Sequence, residues 1–134
     1  MQQSATPLSG SRQIQTLIVE PETEARQLLE LALSVRGQTV TACSDAAAAR
    51  AALRDTAFAI IVISRFLPNS DALQIIREVR GAESGPGSVP ATIVVISSIP
   101  TPEDQAELID AGADDYVPWP AGTDLLRERF DNAE

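Results

Sequence analysis

Four consecutive β-branched residues, Ile60–Ile63, constrain the fold of this chain more than any other stretch. The run is too short for a helix and lacks the alternation of a half-exposed strand, so it predicts a strand buried on both faces. It ends at Ser64, and a short turn leads to a helical pattern that Gly81 closes. A strand, a turn and a helix form half of a βαβ unit, and ligands of open parallel sheets bind at such turns. Ser64–Ser70 is therefore the first candidate site.

Similar patterns continue along the chain. They predict four further strands, at Thr16–Val19, Gln38–Cys43, Thr92–Ile96 and Asp115–Val117. They also predict four further helices. The first runs from about Glu22 to Arg36, with Ala25, Leu28, Leu29, Ala32 and Val35 on one face. The others are Asp45–Arg54 after the N-cap Ser44, a helix from the N-cap Thr101 to Gly112, and one from Asp124 to about Asp131. Five strands alternating with five helices indicate an α/β fold with a doubly wound parallel sheet.

The composition fits a single globular domain. The chain has 134 residues, of which 44% are hydrophobic, and we expect a domain over residues 14–134 after a flexible leader at 1–13. Its longest apolar runs are strand-sized, so we expect no membrane span, no secretory signal and a cytoplasmic location. The single cysteine, Cys43, cannot form an internal disulfide and is predicted to be buried.

The charged residues exclude several classes of function. A net charge of −9 argues against nucleic-acid binding, which needs a basic surface. The chain has no histidine, and all ten of its basic residues are arginines. Histidine-based catalysis, lysine Schiff bases and the P-loop are thereby excluded, and we expect neither an enzyme nor a bound cofactor.

Two motifs carry a resemblance to a known family. The run Leu67–Asp71 is similar to a Met/Leu-Pro-Gly-x-Asp turn, and Ala111–Val117 is close to a second motif of the same family. With the order of elements, they make residues from about Thr16 to Phe130 resemble the CheY-like receiver domain of two-component response regulators. The resemblance implies a flavodoxin-like, five-stranded parallel sheet in the order 2-1-3-4-5, with five helices.

The resemblance also implies a chemistry, phosphoryl transfer to an aspartate at the end of the third strand. In the family an acidic pair after the first strand holds Mg²⁺, a Thr or Ser ends the fourth strand, and a Lys-Pro pair follows the fifth. A carboxylate can attack phosphorus only when a metal ion and a fixed cation offset the negative oxygens.

Most of this site is missing here. In chain order the family's positions hold Glu20 and Pro21 for the acidic pair, Ser64 for the acceptor, Ser97 for the hydroxyl, and Trp119 and Pro120 for Lys-Pro. Because two carboxylates are lost, neither the metal nor the lysine charge is needed. We therefore predict a degenerate pseudo-receiver without a metal site.

Individual residues leave alternatives open. Glu20 could hold a cation alone, but a hydrogen-bonded or salt-bridged carboxylate is the favoured interpretation, with Arg65 as a candidate partner. Phosphorylation of Ser64 is disfavoured because no base is available to activate its hydroxyl. Trp119 either fills the emptied pocket, which is favoured, or lies exposed as an interface anchor. Tyr116 matches the family's aromatic switch position, which works with the hydroxyl at Ser97.

The leading functional prediction is a signalling and protein-interaction module that works without phosphorylation. By resemblance its partner is another protein or an output domain, or a second copy in a homodimer, bound through the fourth helix, fifth strand and fifth helix, with the contact residues Ile109, Tyr116, Leu126 and Phe130. A small-ligand sensor built on the former phosphorylation pocket is the first alternative, and an atypical phosphoreceiver is the second.

Overall fold

The computed structural model describes residues 14–83 and 87–119 of the chain. The predicted leader and the fifth helix, expected from Asp124 to about Asp131, lie outside these residues. The main sheet consists of β1 Gln15–Val19, β2 Thr39–Cys43, β3 Ile60–Ser64, β6 Thr92–Ser97 and β7 Asp115–Pro118. Two short strands, β4 Phe66–Leu67 and β5 Ser70–Asp71, form a separate hairpin, and the helices are α1 Thr23–Ser34, α2 Ala46–Asp55, α3 Ala72–Ala82 and α4 Pro102–Ala111.

The strand order confirms the predicted topology. The main sheet is parallel and runs β2-β1-β3-β6-β7, which is the predicted order 2-1-3-4-5 once the hairpin is set apart. Within β3, Ile61 and Ile63 enter one apolar cluster, whereas Ile60 and Val62 enter the other. The central strand is thus buried on both faces, as its unbroken apolar run predicted.

The predicted buried face of α1 was wrong at its edges. Leu28 is 57% exposed and Val35, just beyond the helix, is 70% exposed. The buried residues are Ala25, Leu29 and Leu33, which follow one another at steps of four along a single stripe. The sheet covers only this narrow stripe, so apolar residues beside it remain in contact with solvent.

The N-cap predicted for α2 was wrong, whereas the one predicted for α4 is confirmed. The N-cap of α2 is Asp45 rather than Ser44, and its carboxylate accepts a hydrogen bond of 2.8 Å from the backbone N–H of Ala48. The start of α4 is as predicted, since the Thr101 hydroxyl accepts a 3.1 Å bond from the N–H of Asp104. Cys43 is buried, as expected.

The predicted turn after β3 contains the β4–β5 hairpin. Asn69 lies in its turn with φ of 58°, a left-handed conformation that asparagine adopts more readily than most residues. Asp71 then caps α3, accepting a 2.9 Å bond from the N–H of Leu73. Among the helices of the described residues, none is long and apolar enough to cross a membrane.

Candidate functional site

Four of the predicted site residues meet at the carboxyl edge of the main sheet. Val19 pairs with Ile63 in register, so Glu20 and Ser64 follow at the ends of neighbouring strands. Ser97 ends β6, and its carbonyl oxygen accepts a 2.9 Å bond from the N–H of Trp119 just beyond β7. The sheet therefore gathers the family's site positions, although the side chains that they present are different.

Glu20 is buried, with 6% of its surface exposed. One carboxylate oxygen accepts a 2.8 Å bond from the N–H of Glu22, and Ser64 provides a further hydrogen bond. Burial raises the pKa of the Glu20 carboxyl above its ordinary value of 4.5, while these hydrogen bonds and the charge of Arg26 oppose that shift. This carboxyl is held by local donors, in agreement with the hydrogen-bonded interpretation.

The donor set does not fit Mg²⁺, which prefers several oxygen ligands in octahedral geometry. Of the two positions of the family's acidic pair only Glu20 carries a carboxylate, its Oε2 already accepts the N–H of Glu22, and Pro21 has no side-chain ligand. Across residues 14–83 and 87–119, no group of three or more histidine, cysteine or acidic side chains is arranged to hold a metal ion.

Arg65 does not pair with Glu20, and that prediction was wrong. The arginine is buried, and its Nε donates a 2.7 Å bond to Oδ1 of Asp104 on α4. Its Nη1 donates a second bond of 2.7 Å to Oδ1 of Asp71. Its backbone N–H donates to the carbonyl oxygen of Ile96 on β6, which directs the residue toward α4 and away from β1.

Tyr116 is joined to the same group of residues. The ring is buried, and its hydroxyl donates a 2.8 Å bond to Oδ2 of Asp104. Burial raises the pKa of Tyr116, the hydrogen bond and charge of Asp104 raise it further, and the hydroxyl of Ser97 opposes the shift. The Ser97 oxygen also accepts a 3.2 Å bond from the N–H of Ile99. The two predicted switch residues thus lie together, and Asp104, for which no role in the site was predicted, connects Tyr116 to Arg65.

Trp119 occupies the edge as a space-filling residue. Its ring is 6% exposed and belongs to the apolar cluster that includes Ile18, Ile96 and Val117. The exposed interface anchor is therefore not what this side chain forms. Among the described residues, no acceptor lies within hydrogen-bond distance of its buried Nε1.

Several cavities open on the described residues, including one of about 570 Å³ along α3 near Asp71 and Arg77. One of about 660 Å³ opens at the amino-terminal ends of the strands, where Phe58 and Ile61 meet α2 and α3. Another of about 400 Å³ lies at the carboxyl edge between Pro21, Asp45 and Asn69. None of these three cavities is lined by Ser64, Ser97 or Trp119, although the predicted site position Pro21 lines the one of about 400 Å³.

The predicted interaction surface is only partly described. Ile109 is 42% exposed on α4, whereas Tyr116 is 7% exposed and cannot offer much contact area. Leu126, Phe130 and the site position Pro120 lie outside the described residues. The same helix carries the exposed acids Glu103, Glu107 and Asp110.

The fold and these positions agree with a comparison against protein families. The model of the response regulator receiver domain matches residues 16–131. The chain belongs to this family. Receiver domains are signalling modules of two-component systems, which act on partner proteins or output domains.

The sequence identity to individual relatives is low. The transcriptional regulatory protein KdpE of Mycobacterium tuberculosis is 31% identical over 85% of this chain and 48% of its own length, so the chain spans about half of that protein. Among solved structures, the orphan response regulator HP1043 of H. pylori superposes with a TM-score of 0.76 at 19% identity, covering 90% of this chain and 95% of that one. A co-crystal structure of Ypd1 with the Ssk1 receiver domain from Saccharomyces cerevisiae gives 0.79 at 19% identity, covering 87% and 86%. The structural likenesses establish the fold.

Proposed function

We propose that this receiver domain is a phosphorylation-independent signalling module that acts by binding another protein. One observation carries the proposal: at the end of β3, where the family places its acceptor aspartate, the side chain is Ser64, hydrogen-bonded to the buried Glu20. A serine hydroxyl is a weak nucleophile unless a base activates it. Burial raises the pKa of the neighbouring Glu20 carboxyl.

The ring of Trp119 supports the same proposal. The family places a lysine at this position, and its ammonium would offset charge on a phosphoryl group. Here a buried indole fills the space, next to the backbone of Ser97. A dianionic phosphoryl group in this place would lack both compensating cations, since Arg65 is already committed to Asp71 and Asp104.

The surface chemistry of α4 indicates the kind of partner. Ile109 provides an exposed apolar contact on α4, and Glu103, Glu107 and Asp110 are exposed acids of the same helix, which has no basic residue in its last turn. We propose a partner surface that combines lysine or arginine side chains with a small apolar pocket, because such a surface offsets the charge of α4. A cytoplasmic location fits a module of this kind.

The decisive experiment is incubation with acetyl phosphate and Mg²⁺, followed by intact-mass measurement. We expect an unchanged mass, with an active receiver domain that retains its aspartate as the positive control in the same tube. A stoichiometric phosphate adduct on this chain would contradict the proposal, and hydroxylamine would then distinguish a labile acyl phosphate from a stable phosphoserine.

A further inference from the structure

Arg65 lies in an unusual position for a charged side chain. It directly follows Ser64 at the end of β3, and its side chain is 10% exposed. Its backbone is tied to β6 by the 2.8 Å bond from its N–H to the carbonyl oxygen of Ile96. A guanidinium buried to this extent must find acceptors within the protein, because isolated charges are costly to remove from water.

Its acceptors come from the starts of two helices. Asp71 caps α3 and Asp104 lies in the first turn of α4, and each accepts a bond of 2.7 Å from the guanidinium. A third carboxylate, Glu107, lies 3.8 Å away. The planar, multidentate guanidinium suits this bridging geometry better than an ammonium would. One cation thus fixes the spacing between α3, α4 and the end of β3.

Asp104 passes this connection on to β7. Its Oδ1 binds Arg65, and its Oδ2 accepts the 2.8 Å bond from the hydroxyl of Tyr116. The two oxygens of a single carboxylate therefore join a permanent positive charge to the aromatic switch position. A chain of three side chains thus runs from Arg65, the residue after the family's acceptor position, to the α4–β7 face.

We infer that Arg65 is a positioning residue, which holds α4 and the ring of Tyr116 in one arrangement through Asp104. A signal changes a two-state equilibrium only if it interacts differently with the two states. Burial lowers the pKa of the Arg65 guanidinium, but the bonds and charges of Asp104 and Asp71 outweigh it and raise the pKa above its ordinary value. The charge of Arg65 is therefore constant at any physiological pH. The α4–β7 face is therefore presented permanently rather than on phosphorylation. This inference rests on the proposed function and specifies how that function is maintained.

Arg65→Met tests the inference, with Arg50→Met as its matched control. Arg50 also forms a two-armed pair, to Glu78, but this pair joins α2 to α3 and lies at the surface. Tyr116 is the only tyrosine, so incorporating 3-fluorotyrosine gives a single ¹⁹F resonance that reports on this ring. We expect one sharp signal for the unmodified sequence and for Arg50→Met, and a shifted and broadened signal, or two signals, for Arg65→Met.

A purely structural role is the competing outcome. It predicts that Arg65→Met lowers the melting temperature while the fluorine signal of the folded protein stays in place, and this result would overturn the inference. Arg65→Lys covers the case in which the methionine variant does not fold: it keeps the charge but loses the planar fork, and we expect an intermediate broadening. An unchanged signal in that variant also counts against the inference. Neither readout depends on the phosphate adduct, so the two proposals can fail separately.

Discussion

The backbone N–H of Trp119 donates a 2.9 Å hydrogen bond to the carbonyl oxygen of Ser97, which fixes the indole over the carboxyl edge of the sheet. The ring then packs into the apolar cluster on the α1 side. A large apolar side chain therefore packs at the position where the family resemblance implies a lysine.

Trp119→Ala is expected to lower the free energy of unfolding by about 3–5 kcal/mol, because it removes a buried ring and leaves a cavity. Trp119→Phe is the matched variant. It keeps most of the apolar contact and removes the Nε1 donor, which has no partner among the described residues, so it should cost much less than the alanine variant. Urea denaturation measures both. Equal losses for the two variants would show that ring packing does not account for the stability at this position.

Ser64→Asp is expected to destabilise the protein in metal-free buffer by about 2 kcal/mol, since it places a second carboxylate beside the buried Glu20. Two carboxylates can share a divalent cation, so added Mg²⁺ should recover part of the loss. Thermal denaturation with and without Mg²⁺ measures this effect. Ser98→Asp, at an exposed position just beyond β6, is the control and should respond little to Mg²⁺.

Glu20→Gln is expected to change the pH dependence of stability. Because the folded-state pKa of Glu20 is raised above 4.5, the native state binds a proton more readily than the unfolded chain does. Its contribution to stability is thus fully present below pH 4.5 and is lost as the pH rises through the folded value. Relative to the unmodified protein, Glu20→Gln should gain stability as the pH rises through this window. A constant difference between the two proteins would contradict the raised pKa.

Asp104→Asn is expected to lower the pKa of Tyr116. Burial is the main cause of the raised value, and it remains in this variant, but the hydrogen bond and the negative charge of Asp104 no longer disfavour the tyrosinate. Ultraviolet absorbance of tyrosinate during an alkaline titration follows this single ring. Asp110→Asn, on the exposed side of α4, serves as the control and should leave the midpoint in place. If both variants titrate alike, Asp104 does not act on Tyr116 as described.

The fold was predictable because local sequence patterns indicate where the main strands and helices lie and which of their residues are buried. Ile60–Ile63 is unbroken and apolar, and the β3 strand is buried on both faces. The cap at Thr101 was likewise readable, since a hydroxyl followed by Pro102 and two acids satisfies the first turn of a helix. Each of these signals involves residues that are close in sequence.

The connections within the site could not be predicted in the same way. Arg65 and Glu20 each follow a strand of the main sheet, and this made them candidate partners. Arg65 instead binds Asp104, which is 39 residues away on α4. Which carboxylate a long side chain reaches depends on the direction of its backbone, and here the bond to Ile96 turns it toward β6. Similarly, the width of the covered stripe on α1 depends on the sheet beneath it, so Leu28 was misplaced.

The buried indole at the carboxyl edge also gives this molecule a built-in optical probe. Trp119 is the chain's only tryptophan, so emission excited at the red edge of the absorption band comes from this one ring. A change in its emission wavelength or lifetime when a partner binds the α4–β7 face would show that this face and the carboxyl edge of the sheet are structurally coupled. The measurement needs no label attached to the protein.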